Sequence, residues 1–140
     1  MKRKNKLPQN SDSKVLSINH IGSKGEGVSY LHTEFNYKKK EYNFFIPFSL
    51  PNEIIIARPT HFSSEGIRAD LIEIQETSSD RMNPQCSHFF KCGGCLLQHW
   101  NFENYSCWKV NKISLPILKI SPKRLMHVLI ALEKIILIQM

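Results

Sequence analysis

The chain offers no apolar run long enough to cross a membrane, no secretory leader and only four cysteines, and each shortage removes a class of protein. Its most apolar stretch, residues 125–140, is shorter than the roughly 18–20 apolar residues a spanning helix needs and is interrupted by Glu133-Lys134. The opening Met1-Lys2-Arg3-Lys4-Asn5-Lys6 is basic, but no apolar segment follows it, so it is not a signal peptide. With no leader, four cysteines point to a reducing compartment rather than a disulfide scaffold, and the bacterial cytoplasm is the expected location. Acidic residues are also scarce. Twelve against nineteen basic ones leave a formal charge of +7 and a pI near 9.3, which favours a polyanionic partner, nucleic acid first.

What is present centres on residues 86–99, CSHFFKCGGCLLQH. Cys86, Cys92 and Cys95 stand at C-x5-C-x2-C spacing, three of the four cysteines within ten positions. A thiolate pair two residues apart grips one soft centre only if the backbone between them turns back, and Gly93-Gly94 supplies the positive-φ freedom for that turn. In an intracellular protein such spacing reads as a metal site before a disulfide. Ligand chemistry leaves zinc and an iron–sulfur cluster both open, since each takes four ligands and thiolates suit either.

Ahead of this segment the chain reads as short strands. Residues 1–13 are expected to be a flexible basic arm. Residues 15–21 are β-branched and apolar, and Gly22-Ser23-Lys24-Gly25-Glu26-Gly27 follows. Its glycine order is G-x2-G-x-G, and the next residues are strand-like instead of helical, so it is a hairpin turn and not a phosphate loop. Residues 28–31 make a second strand, and 32–40 a surface loop tipped by Lys38, Lys39 and Lys40. Residues 42–48 form a third strand closed by Pro47, 53–58 a fourth stopped by Pro59, and 67–75 a fifth. The fifth alternates through Ile67, Ala69 and Leu71, then slips to Ile72 and Ile74, the mark of a β-bulge. The expected fold is mainly β: a small five-stranded barrel of the oligonucleotide-binding kind over residues 14–76, a cysteine-rich loop, and a short helical tail. Lys24, Tyr37, Lys38, Lys39, Lys40 and Tyr42 are the candidate RNA contacts, cations for phosphates and rings for bases.

Residues 79–86 (SDRMNPQC) and 92–99 (CGGCLLQH) resemble the cluster segment of the RNA (uracil-5-)-methyltransferases, in the branch that acts on 23S ribosomal RNA and carries an N-terminal TRAM domain. Residues 14–75 are similar to that TRAM domain, with Gly25-Glu26-Gly27-Val28 and Leu50-Pro51-Asn52-Glu53 at its turn motifs; Asn52 replaces the usual glycine, and asparagine also tolerates positive φ. The resemblance implies a 4Fe–4S cluster on Cys86, Cys92 and Cys95, with the family's fourth ligand downstream of the resembling region. Cys107 reads as a small buried hydrophobe on a helix. The resemblance also implies ribosomal RNA as partner and S-adenosylmethionine as methyl donor.

Residues 77–113 carry the cysteine segment and the start of the next helix, and the resemblance ends near residue 114. Pro116 and Pro122 are expected to break any continuing helix. Residues 114–140 read as a divergent apolar tail, expected from a reading-frame shift or early stop. After His99 no βαβ pattern of a catalytic domain is visible, so the sequence implies a form inactive on its own. A free-standing RNA-binding module beside a separately encoded catalytic half, and a zinc-stabilised interaction domain, are the alternatives.

Overall fold

The computed structural model describes residues 5–6, 12–35 and 38–118, with side chains for 12–34 and 40–114. Seven strands and one helix follow in order: β1 (Asn5–Lys6), β2 (Lys14–Ser17), β3 (His20–Ile21), β4 (Gly27–Phe35), β5 (Lys38–Ile46), β6 (Ile54–Phe62), β7 (Ile67–Glu76) and α1 (Phe102–Leu118). The described residues fall into two units, one ending at Asn101 and the other beginning at Phe102.

The fold is mainly β, as expected. The strands form one sheet in the order β1-β6-β7-β5-β4-β3, with β2 also paired to β6. The ladder is an open path of six strands with β2 branching from β6, where a closed barrel of five was expected. One difference lies in the first strand, which breaks at Ile18-Asn19. Lys14–Ser17 pairs with β6, and His20–Ile21 pairs with β4. The break is itself hydrogen-bonded on both sides: Ile18 N–H donates to the Glu53 carbonyl at 2.9 Å and Asn19 N–H to the Val28 carbonyl at 2.8 Å. The other difference is Asn5–Lys6. This pair adds to the far end of β6, opposite His61 and Phe62, where a sheet edge offers unpaired backbone groups; the rest of residues 1–11 lies outside the described residues.

Strand length departs from expectation where polar residues looked like loop. Residues 32–35 extend β4 and Lys38-Lys39-Lys40 begin β5, paired residue by residue from Gly27↔Ile46 to Phe35↔Lys38. Cross-strand hydrogen bonding carried the hairpin past the point where hydrophobic alternation fades. Pro59 does not stop β6. It sits opposite Ala69, beside a register shift between Pro59 and His61, the kind of irregular position at which a missing N–H is tolerated in a sheet. Pro47 does close its strand, since β5 ends at Ile46. The bulge in β7 falls where the alternation slips: Ala57 pairs with Leu71 and Ile56 with Glu73, so Ile72 is passed over.

Inward residues from β2 to β7 make one core, including Leu16, Ile18, Phe44, Ile46, Ile55 and Ile67, each at most 2% exposed. Burying each such side chain stabilises by about 1.5–3 kcal/mol. In the second unit, α1 carries Glu103 in its first turn, suited to the positive end of the helix dipole. Tyr105 stacks on Trp108, with Lys109 over the Tyr105 ring and Lys112 over Trp108, the pairs that helical i,i+3 and i,i+4 spacing brings together. Contrary to expectation, the helix runs through Pro116; a proline deletes one backbone bond and costs about 3 kcal/mol, which need not end a helix. The apolar run expected in 125–140 and the proline at 122 lie outside the described residues.

Gly27 is held by close approach. A Cβ there would overlap Ser49 Oγ and come within 3.1 Å of both the Ser49 carbonyl and Ile18 Cγ2, all of them buried. Gly27→Ala is expected to destabilise the sheet unit by about 1–3 kcal/mol, read as a lowered urea midpoint, whereas alanine at Gly94, which has room, leaves the midpoint within about 0.5 kcal/mol.

Candidate functional site: a three-cysteine segment clamped to the sheet

The segment after β7 folds back on itself. Met82 N–H donates to the His99 carbonyl at 2.8 Å, Asn101 N–H donates to the Asp80 carbonyl at 2.9 Å, and Arg81 bridges Trp100. These contacts zip residues 80–82 against 99–101 and close a loop holding Cys86, Cys92 and Cys95. Inside it, Cys86 N–H donates to Gln98 Oε1, Phe89 N–H to the Cys86 carbonyl, and Cys92 N–H to the His88 carbonyl. Gly93 has φ 67°, and nothing lies within 4 Å of where its Cβ would be. The requirement for glycine there is one of backbone conformation, as the CGGC spacing suggested.

Three anchors hold the loop to the sheet. The Arg81 guanidinium donates to both Glu53 carboxylate oxygens, at 2.5 Å through Nε and 2.9 Å through Nη2, and Nη2 also donates to the Phe48 carbonyl at 2.8 Å. Glu53 is fully buried and also accepts the Leu50 N–H at 2.8 Å. Beside this pair, Phe89 packs edge-on against Phe48 and at 5.1 Å from the fully buried His99 ring. At the β3–β4 turn, a Cβ on Gly25 would lie 3.5 Å from Leu97 Cδ1 and 3.6 Å from Leu96 Cβ, so the turn backbone receives this leucine pair. Burial pushes the His99 imidazole down to about 4, with the Arg81 charge adding to the effect and the Glu53 charge and Phe48 backbone opposing it.

All three cysteines of the segment are free thiols on its exposed side. Their donor type suits a thiophilic centre. Among the described residues no three His, Cys, Asp or Glu side chains are grouped to hold a metal ion. Cys107, expected to be buried, is exposed on α1; it lies on a helix whose apolar residues Val110 and Ile113 are exposed too.

The candidate RNA contacts are scattered. Tyr42 is a core residue, 9% exposed, tilted against Phe62 with Lys40 Nζ 4.8 Å from its ring; an inward position in β5 removes that ring from base stacking. Lys40 is exposed, and Lys24 is exposed but paired with Glu65 at 3.0 Å. Lys38 and Lys39 are placed only by their backbone in β5, and Tyr37 lies outside the described residues. Sequence reasoning missed Arg81 and Glu53 as a pair. They are 28 positions apart, and no local pattern joins them.

No protein-family model matches the chain. Curated relatives do. It is 39% identical over 95 residues to an uncharacterized RNA methyltransferase from Brucella suis, and 34% identical over 102 residues to one from Caulobacter vibrioides. These matches cover 67% and 73% of this chain but 20% and 22% of the relatives. Over the matched residues the chain belongs with the RNA methyltransferases. It is also similar to the 23S rRNA (uracil(1939)-C(5))-methyltransferase RlmD of Vibrio vulnificus, 31% identical over 106 residues, 76% of this chain and 22% of that protein. The chain thus spans about a fifth of the length of the relatives it matches. Among the described residues no helix is long and apolar enough to cross a membrane.

Two predictions follow from the clamp. Arg81→Met leaves a carboxylate buried without its partner and is expected to cost about 3–5 kcal/mol, with amide exchange in residues 86–99 rising together. The paired change Glu53→Leu with Arg81→Met should recover much of that loss. His99 takes up a proton more readily in the unfolded chain than in the fold. Its contribution is therefore complete above pH 6.5 and is lost as pH falls from 6.5 toward about 4, up to about 3 kcal/mol in all. Urea midpoints at pH 7 and pH 5 should differ accordingly, and the difference should shrink in His99→Phe.

Proposed function

We propose that this chain supplies the RNA-gripping and cysteine-bearing portion of a ribosomal RNA (uracil-5-)-methyltransferase. The observation that carries the reading is the match to RNA methyltransferases over two thirds or more of the chain. The sheet supports it. Residues 14–21 touch β6 at one end and β4 at the other, and β5 runs parallel to β7, the connectivity of a five-stranded oligonucleotide-binding barrel with β2 and β3 counted as one bent strand. The surface that meets RNA is assigned to Lys24 and Lys38–Lys40, in a chain of formal charge +7; Tyr42 is left to the core. Methyl transfer from S-adenosylmethionine to a uracil is assigned to the parts of the relatives outside the matched fifth, and the cytoplasm is the compartment of this reading.

Cys86, Cys92 and Cys95 are proposed as three ligands of a 4Fe–4S cluster. A cluster takes each thiolate on a separate iron and a zinc ion gathers them on one centre; the donor set suits either, and it is the resemblance of residues 79–99 to the cluster segment that favours the cluster. Such a cluster would tie together a loop whose residues 90–95 are all exposed.

Anaerobic purification tests the cysteine assignment. Brown protein containing iron and sulfide, bleached by Cys92→Ser, is expected; colourless protein with stoichiometric zinc would overturn it. Binding to a ribosomal RNA hairpin is expected to weaken about tenfold between 50 and 200 mM salt, and an affinity indifferent to salt would remove phosphate contacts as its source.

A further inference from the structure

A groove opens where β5 and β7 part company. The two strands run parallel but pair at only two positions, Phe44↔Ile67 and Phe45↔Arg68. The sequence dictates the parting: Pro47 has no N–H to continue the ladder, and Phe48 takes φ 64° and turns the chain away. From Asp70 onward, the side of β7 that faced β5 has no strand partner among the described residues. The resulting cavity, of about 490 Å³, lies along Asp70, Leu71, Ile72, Glu73 and Ile74 on one side and Pro47, Phe48 and Phe90 on the other.

Two features of this groove face solvent. Phe90, like Phe48, has positive φ, at 71°, a costly state for a bulky residue that persists where surroundings enforce it and function often uses it. Its ring meets Phe48 at 5.1 Å yet stays 58% exposed, and Ile72 beside it is 48% exposed. Asp70 and Glu73 are exposed carboxylates that form no ion pair with any described residue. In the β6–β7 register Asp70 stands opposite the exposed Arg58 and Glu73 opposite Ile56; carboxylates without an ion-pair partner are poorly suited to a phosphate backbone and suited to a cation.

We propose that the groove is a docking site for an extended segment of a basic protein, which adds as a strand to the open edge of β7. Its backbone takes up the unpaired N–H and C=O groups of residues 70–76. Alternate apolar side chains enter the cavity against Phe48, Phe90 and Ile72, and lysine or arginine side chains meet Asp70 and Glu73. The proposal is independent of the RNA-binding reading, because it uses a different charge sign and a different part of the sheet.

The test uses the 140-residue chain and a blocked peptide alternating lysine with valine and leucine. Controls are its glutamate-for-lysine twin, a twin N-methylated along one backbone edge, and oligouridylate. Amide exchange is read at residues 70–76. The lysine peptide is expected to protect these amides, neither twin should do so, and Asp70→Lys with Glu73→Lys should weaken binding at least about tenfold. A thermal melt of that variant checks its fold, and Ile72→Glu, at another exposed position, serves as a second test of the groove. Equal binding of the glutamate twin, protection by oligouridylate, protection that rises only with the concentration of the chain itself, or amides already protected without peptide would each overturn the proposal.

Discussion

A carboxylate with no exposed surface and a guanidinium that reaches it from 28 residues downstream set the position of everything that follows the sheet. Glu53 lies in the turn before β6, so removing its charge from water is costly unless a partner arrives with matched geometry. Arg81 provides that match with two bonds to the carboxylate and spends its remaining reach on the Phe48 carbonyl. One side chain therefore fixes both the register of the cysteine loop and the turn at the end of β5. Such a pair adds little net stability over an apolar substitute, but it penalises every arrangement in which the loop docks elsewhere.

The loop itself has few other reasons to stay. Phe89, Leu97 and His99 are its main buried side chains, while residues 90–95 are exposed. Its base is fixed by the clamp, and its thiol-bearing tip is exposed, held by backbone bonds within the loop. The turn at Phe48, held by the same arginine, is also what separates β5 from β7. The clamp thus links the cysteine loop and the groove physically, and Phe90 belongs to both, lying between Cys86 and Cys92 and lining the cavity.

Much of the fold was legible in order along the chain. Short apolar runs marked strands at β2, β5 and β6, alternation marked β7, and the slip after Leu71 located a bulge to the residue. Asn52 at φ 66° and Gly93 at φ 67° sit where turn chemistry put them. Errors gathered where local rules were overridden by pairing. Lys38–Lys40 look like a solvated loop yet lie in a ladder nine pairs long, and Pro59 looks like a stop yet rests beside a register shift. Tyr42 looks like a base-stacking ring, but its parity along β5 turns it inward with Phe44 and Ile46.

The amino-acid order by itself determined the three-cysteine spacing, the glycine between the last two thiols, the basic balance and the strand-rich front of the molecule. Each of these is a property of neighbouring residues or of composition, and no fold is needed to read it. Only the tertiary structure decided which carboxylate the arginine before the cysteines would meet, where β7 would be left with an open edge, and which aromatic rings would be hidden. Those outcomes depend on contacts between residues tens of positions apart, and a linear pattern carries no distance across the sheet.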